Sequence, residues 1–421
     1  MGIIVQKFGG TSVGSIKNIK NIAKQINLFY QKNHKIIVVV SAMSGETNRL
    51  LCLAKIMYKK KQLTTIYNTR ELDILLSTGE QVTMSLLSMA LNIVGVKSNS
   101  YTGAQISIFT DSVYTNARVQ HIDTSVINKD IKNNIVVVVA GFQGIDKYGN
   151  ITTLGRGGSD TTAVALATAI NADECQIYTD VSGVYSADPR LCTNSSLMSY
   201  ITVDEMLELS SLGSKVLQIR SVEFAVKYNI PVRLLSVFDN NPGTLIIQKR
   251  SFLENNMEKP LISGLTYNCN YANITVVLFY DVVPCICYNI VNFFSEYKVE
   301  FCIQHIKKVK TQVFLKFTIS KYDYNDLFHT IQKYVCYNLG GQILGDHKTV
   351  TISIVGVGIH SHKCISKKVV YTLEKHGISI LFLSISELKL SILIDEDYLD
   401  LALHVLHTIF NLNKKYIKEE I

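Results

Sequence analysis

Up to about residue 250, short apolar runs alternate with stretches whose apolar residues recur at helical spacing. Residues 3–8, 36–40, 135–140, 176–179 and 232–236 predict strands, several of them apolar on both faces. Residues 13–30, 80–91, 160–170 and 214–228 predict helices. Strands without a polar face need cover on both sides, so 1–250 reads as an α/β domain with a largely parallel sheet between helix layers. Asn240-Asn241-Pro242-Gly243 marks a turn, and 250–260 is a polar linking stretch.

Past the linker the pattern repeats. A strand at 274–279, a helix from Cys285 and a strand at 299–305 are matched by a strand at 350–355, a helix from Cys364 and a strand at 378–384. From the helix-opening cysteine to the next strand is 14 residues in both copies. Each copy adds a further strand, 312–319 or 388–394, and a helix, 324–335 or 398–410. This order predicts two ferredoxin-like units, at 262–342 and 345–421. Two such units on one chain usually pair through their sheets, which suits a regulatory or assembly module.

Length and composition narrow the class. The 421 residues, 47 % apolar and 18 % charged, fit two or three globular domains and exclude a disordered chain. No apolar run approaches the ~18 residues of a membrane span, and the first residues carry no signal-peptide pattern, so a cytoplasmic protein is expected. The net charge of +8 invites a nucleic-acid reading, but only 8 of 42 basic residues are Arg and the Lys are scattered, apart from short clusters at 59–61 and 307–310. Nine Cys without a CxxC pair read as reduced thiols. His360, His362 and Cys364 lack the further ligands a metal site needs.

Three stretches carry candidate chemistry. Lys7-Phe8-Gly9-Gly10-Thr11-Ser12 closes the first strand and opens a helix, offering backbone N–H groups and a positive charge to an anion. Thr152-Thr153-Leu154-Gly155-Arg156-Gly157-Gly158-Ser159-Asp160-Thr161-Thr162 does the same before a later helix, and Arg156 adds a planar fork for a carboxylate or phosphate. Thr179-Asp180-Val181-Ser182-Gly183-Val184-Tyr185-Ser186-Ala187-Asp188-Pro189-Arg190 reads as a loop able to hold a nucleotide. Each alone is compatible with an ordinary turn. Two glycine-rich anion loops on one α/β domain point to a site for two anionic ligands.

In this order the three stretches resemble the amino-acid kinase family, and the first is characteristic of the aspartate kinases within it. The resemblance extends to Ser41-Ala42-Met43-Ser44-Gly45-Glu46-Thr47-Asn48, Ser77-Thr78-Gly79-Glu80, Gly141-Phe142-Gln143-Gly144 and Gly213-Ser214-Lys215-Val216-Leu217. It covers essentially the whole chain, because monofunctional aspartate kinases end in two ACT domains of the ferredoxin-like kind. The chain stops just after the second repeat, which is similar to that type and not to the fusion with homoserine dehydrogenase. The fold implied is an amino-acid kinase domain followed by two ACT domains.

The resemblance also implies roles. Lys7, Asp160 and Lys215 match catalytic positions, with Asp160 holding the lysines in place. Lys7, Phe8, Gly9, Gly10, Ser41, Thr179, Asp180, Tyr185, Arg190 and Lys215 match the ATP side, with Mg²⁺ carried by the nucleotide and no metal held by the protein. Thr47, Glu80, Arg156, Gly157, Gly158 and Ser159 match the aspartate pocket. The implied reaction makes 4-phospho-L-aspartate, the entry to lysine or diaminopimelate, threonine and methionine. A glutamate 5-kinase-like enzyme and an inactive ACT-domain sensor are the alternatives. A homodimer or larger assembly through the ACT domains is implied, with lysine or threonine as possible effectors. An internal start near Met257 would give a separate regulatory subunit.

Two departures stand out. Where the family usually reads Lys-Val-Leu-His-Pro, this chain has Lys215-Val216-Leu217-Gln218-Ile219, so the helix there is expected to run on smoothly. The glycine turn of ACT effector sites is replaced by Val283-Pro284-Cys285 and His362-Lys363-Cys364, and the acid expected on the next strand is Glu300 in one repeat but Leu381 in the other. Gln304 and Ser386-Glu387 persist.

Overall fold

The computed structural model describes residues 2–57, 66–212, 217–239, 241–248, 261–279, 292, 301–309 and 312–413. Lys215, Met257, the first repeat's helix from Cys285 and Glu300 lie outside the described residues. The chain divides into two compact units, Met1–Ser186 with Ser196–Met257 and Lys414–Ile421, and Ala187–Ser195 with Glu258–Asn413.

The first unit is built on an eight-stranded sheet of β1 (Ile3–Phe8), β2 (Lys35–Val40), β3 (Ser98–Tyr101), β6 (Val136–Ala140), β9 (Glu174–Thr179), β10 (Tyr200–Thr202), β11 (Val232–Ser236) and β12 (Thr244–Ile247). Their spatial order is β10-β12-β11-β9-β1-β2-β6-β3. From β11 to β3 every pairing is parallel; β12 runs antiparallel to β11. A small second sheet holds β4 (Ile108–Thr110), β5 (Val119–Ile122), β7 (Gln143–Ile145) and β8 (Ile151–Thr153).

Seven helices accompany these strands among the described residues: α1 (Ile16–Gln31), α2 (Glu46–Met57), α3 (Ile66–Ile93), α4 (Ser125–Lys132), α5 (Gly158–Ala169), α6 (Val203–Ser211) and α7 (Ile219–Tyr228). On α1, Ile19, Ile22, Ala23 and Ile26 recur at helical spacing and pack with Leu87 and Leu91 of α3 against Ile36, Val38 and Val40 of β2. Ile37 and Val39 alternate to the other face and are equally buried, as a sheet covered on both sides requires. α5, buried along most of its length, packs on β1, β2 and β9.

Two helices differ from the expectation. α3 begins well before residue 80, although Ser77-Thr78-Gly79 reads as punctuation. The hydroxyls of Ser77 and Thr78 donate back to the carbonyls of Ile74 and Leu75, which keeps these residues helical. Gly79 is there for space, since a Cβ on it would lie 2.8 Å from that of Ala42. By length and composition Thr69–Ile93 could cross a membrane, but 56 % of its apolar 18-residue stretch is buried inside the protein and it packs as a core helix. The second difference corrects the expectation at 214–228. Residues 213–216 lie outside the described residues, and α7 starts only at Ile219, with extended Gln218 as its cap. Ile219 therefore occupies the first helical position, where a proline is tolerated and its loss changes little.

In the second unit, β14 (Tyr271–Phe279), β15 (Phe301–Val309), β16 (Gln312–Ser320) and β17 (Gln342–Asp346) form a sheet in the order β15-β16-β14-β17, covered by α8 (Lys321–Leu339). The other sheet has the order β13-β18-β20-β19, from β13 (Leu261–Asn268), β18 (Thr349–Val357), β19 (Phe382–Ile385) and β20 (Lys389–Asp395), with α9 (Lys363–Lys375) and α10 (Leu399–Ile409). Strand β13 thus precedes the first repeat in sequence but completes the sheet of the second, pairing antiparallel with β18.

Candidate active site

The parallel strands β1, β2, β6 and β9 end along one rim of the sheet, and the chain leaving each stays tied to its neighbour. Ser41 N donates to Phe8 O at 3.1 Å, Gly141 N to Val40 O at 3.0 Å, and Gly9 N to Tyr178 O at 3.2 Å. Such a rim of carboxyl ends is where open α/β sheets bind ligands.

Lys7 is buried near the end of β1, flanked in register by Val39 and Ile177. Its Nζ lies 2.5 Å from Oδ1 of Asp160, in the first turn of α5. The helix N-terminus stabilises the carboxylate, and the carboxylate offsets much of the cost of burying the ammonium. Phe8 stacks on Tyr178 with ring centroids 4.7 Å apart. Gly9 and Gly10 follow. A Cβ on Gly10 would lie 2.9 Å from Ala42 O, so only glycine lets the turn after β1 approach the turn after β2 this closely. Ser44 N donates across to Gly10 O at 3.1 Å. Ser41 and Thr47 are half-buried on this second turn and at the start of α2.

Glu80 reaches the same turn from α3. Its Oε1 accepts from Ala42 N at 3.0 Å, while Oε2 is buried with no hydrogen-bonding partner among the described residues. Burial pushes its carboxyl up from 4.5 to about 7, against the lowering effect of the Ala42 N–H. A buried acid with a spare oxygen is suited to a cationic ligand.

Arg156, Gly157, Gly158 and Ser159 form the turn into α5. Gly157 caps the helix in the left-handed region at φ 67°, and a Cβ there would overlap the Gln218 side chain. Ser159 packs on Gly141, and Arg156 is exposed at the tip. Neighbouring Phe142 has φ 69°, unusual for an aromatic residue, and is wedged against Gly158.

Thr179 ends β9, its hydroxyl bridging both polar groups of Val181, and Asp180 is exposed beside it. Tyr185 forms a single antiparallel bridge with Leu197. Arg190 is placed otherwise. Its guanidinium forks onto Asp188 at 2.7 and 3.0 Å within the second unit, where Asp188 also accepts from Tyr267. The structure brings Lys7, Phe8, Gly9, Gly10, Ser41, Glu80 and Asp160 onto one rim; sequence reasoning missed Asp73 and Arg220. Of these, Asp73 had only a weak signal, an acid flanked by Leu72 and Ile74 two helical turns before Glu80.

Comparison with known proteins bears on this rim. Residues 2–236 match the amino acid kinase family, and 352–410 match an ACT domain. The chain belongs to the amino acid kinase family. It is 48 % identical over 415 residues to an aspartate kinase of Stutzerimonas stutzeri, and 49 % identical over 416 residues to an aspartokinase of Pseudomonas aeruginosa, each alignment covering 98 % of both chains. Among solved structures, the aspartate kinase of Clostridium acetobutylicum aligns with a TM-score of 0.76 at 22 % identity, covering 98 % of this chain and 100 % of that one. Escherichia coli aspartokinase III, solved with aspartate and ADP, aligns at 0.73 and 21 %, covering 96 % and 99 %. These two likenesses speak to the fold.

Proposed function

We propose that this chain is an aspartate kinase, transferring the γ-phosphoryl group of ATP to the β-carboxylate of L-aspartate. Full-length relatives bearing that name support the reaction. The observation that carries the site is the rim itself: a buried cation, Lys7, at a glycine turn, and a buried acid, Glu80, with an unpartnered oxygen. The first suits a transferring phosphoryl group, the second an α-ammonium.

The chemistry follows from these charges. The β-carboxylate, with a reference pKa near ~3.9, is already ionised at neutral pH and needs no general base. Its oxygen attacks the γ-phosphorus, the bond to the bridging oxygen breaks, and ADP leaves with the electron pair. The obstacle is repulsion: each like-charge pair at 4 Å costs ~4 kcal/mol at an effective dielectric of 20. Lys7, held by Asp160, and the N–H groups of the Gly9-Gly10 turn offset it. Mg²⁺ arriving on the nucleotide would neutralise further phosphate charge. On this reading Ser41, Thr179, Asp180 and Tyr185 serve the nucleotide, as does Lys215, whereas Arg190, engaged by Asp188 in the second unit, is not assigned to it. Thr47, Arg156 and the Gly157–Ser159 turn serve aspartate, with Arg156 on the α-carboxylate. The paired repeats are suited to self-association.

An ADP-coupled assay comparing aspartate with glutamate tests the reaction. Turnover with glutamate alone favours the glutamate-kinase alternative, and no turnover with either favours a sensor. Lys7→Ala should lower kcat at least ~10²-fold with little change in aspartate binding. Arg156→Lys should chiefly raise KM for aspartate, because an ammonium cannot make the forked contact. A rise in KM for ATP instead would reverse the two sides of the site.

A further inference from the structure

Asp73 is fully buried (0 % exposed) on α3 and lies outside every motif of the family resemblance. Its carboxylate takes three donors: Thr153 N at 2.8 Å, Thr153 Oγ1 at 2.7 Å, and Thr115 N at 3.0 Å from both oxygens. Thr115 sits at φ 67°, a strained position for a β-branched residue, and Asp73 holds it there. From the far side Arg220, on α7, grips the same two segments by their acceptors. It donates to Leu154 O at 2.6 Å, Ala117 O at 2.9 Å and Asn116 Oδ1 at 3.0 Å. Ala117 N closes the arrangement on Thr153 O at 2.9 Å. An acid from one helix thus holds the donors of residues 115 and 153, and a base from another holds the acceptors of 116, 117 and 154.

What these groups hold is the root of the Arg156 turn. Beyond Leu154 come Gly155 at φ 77° and Gly157 at φ 67°, on either side of exposed Arg156, so the guanidinium has no local stiffness of its own. On α3, Asp73 precedes Glu80 by seven residues, two turns, which puts both carboxylates on one face about 10 Å apart along the axis. One rigid helix therefore carries the acid facing the ligand ammonium and the anchor of the turn facing its carboxylate.

We propose that Asp73 is a positioning residue which, with Arg220, fixes the Arg156 turn relative to Glu80 and thereby sets the substrate length the pocket accepts. The inference rests on assigning Glu80 and Arg156 to aspartate. Loosening the clamp should then harm aspartate recognition selectively and soften discrimination against glutamate, one methylene longer.

The experiment measures KM for aspartate and for ATP, the aspartate-to-glutamate ratio of kcat/KM, and thermal midpoint for Asp73→Asn, Thr153→Val, Arg220→Lys and Arg156→Lys. Thr153→Val removes one hydroxyl at constant shape, so it decides the matter even where Asp73→Asn does not fold. Expected for Thr153→Val and Arg220→Lys is a rise of about threefold to tenfold in KM for aspartate, matching the loss of one buried hydrogen bond. KM for ATP should stay within about twofold on the same scale, and the aspartate preference should fall. Folded variants with unchanged KM for aspartate and unchanged preference, or with both KM values raised alike, would overturn the proposal. If Arg156→Lys leaves KM for aspartate unaltered, the pocket assignment itself has failed; if it alone raises that KM, only the clamp has.

Discussion

At the residue scale, the side chains that meet are far apart in sequence, and their chemistry depends on that meeting. Lys7 and Asp160 each sit in a legible glycine motif, yet only the packing of α5 on β1 makes them a buried ion pair. The pKa of Glu80 was not legible at all, because its burial depends on Gly10 and Gly79 admitting Ala42 between them. That pKa, raised to about 7 by desolvation, has a definite sign. An acid whose folded pKa lies above its unfolded value contributes stability below pH 4.5 that is lost as pH rises through about 7. The shift corresponds to about 3 kcal/mol. The free protein should therefore lose stability across that window, and Glu80→Gln should flatten the thermal midpoint there. Because the ammonium of aspartate favours the ionised form, kcat/KM for aspartate should rise with pH to a plateau above about 7. A wild-type profile flat between pH 5.5 and 8.5 on the order of those values would refute the assignment.

Elements follow their sequence signals where the signal is local. The 13–30 periodicity yields α1, capped by Ser15 accepting from Asn18 N. In 214–228 the unforeseen boundary is Gln218, whose extended backbone precedes α7. Thr202-Val203-Asp204-Glu205 is a capping box, with Thr202 Oγ1 accepting from Glu205 N at 3.4 Å and Glu205 Oε2 from Thr202 N at 3.0 Å, and it starts a separate helix, α6. Thr202→Ala should destabilise the protein by ~1 kcal/mol, read from urea denaturation, and leave both KM values unchanged. A loss of activity without loss of stability would show that α6 has a part in the site. Hydroxyl-rich Ser77-Thr78-Gly79, turn-like in composition, is absorbed inside α3 by back-bonding to Ile74 and Leu75.

At the scale of the whole molecule, the kinase-type domain and the paired repeats were both legible, whereas the sheet that β13 joins was not. A strand's alternation fixes its faces but not its partner, and β13 pairs with β18 across the 80 residues between Asn268 and Thr349. The same limit applies to regulation, where sequence identifies the repeats but not whether their effector sites work. In the second repeat the turn after β18 keeps Gly358 at φ 80°, but the entry to α9 is His362-Lys363-Cys364, with no side-chain cap on that helix. A Cβ at this entry restricts the backbone that glycine would free to close on an amino acid. Leu381, where an acid would meet an effector ammonium, is 47 % exposed and uncharged. In the first repeat the corresponding turn and Glu300 lie outside the described residues, and the backbone register of β15 shifts between Ile303 and His305. Lysine and threonine should accordingly inhibit weakly or not at all. Steady-state assays at saturating ATP, with and without millimolar lysine, threonine or both, would read this directly. Calorimetry on the full chain supplies the independent check: a micromolar Kd for either amino acid, accompanied by loss of activity, would mean that the altered turns still close on an effector.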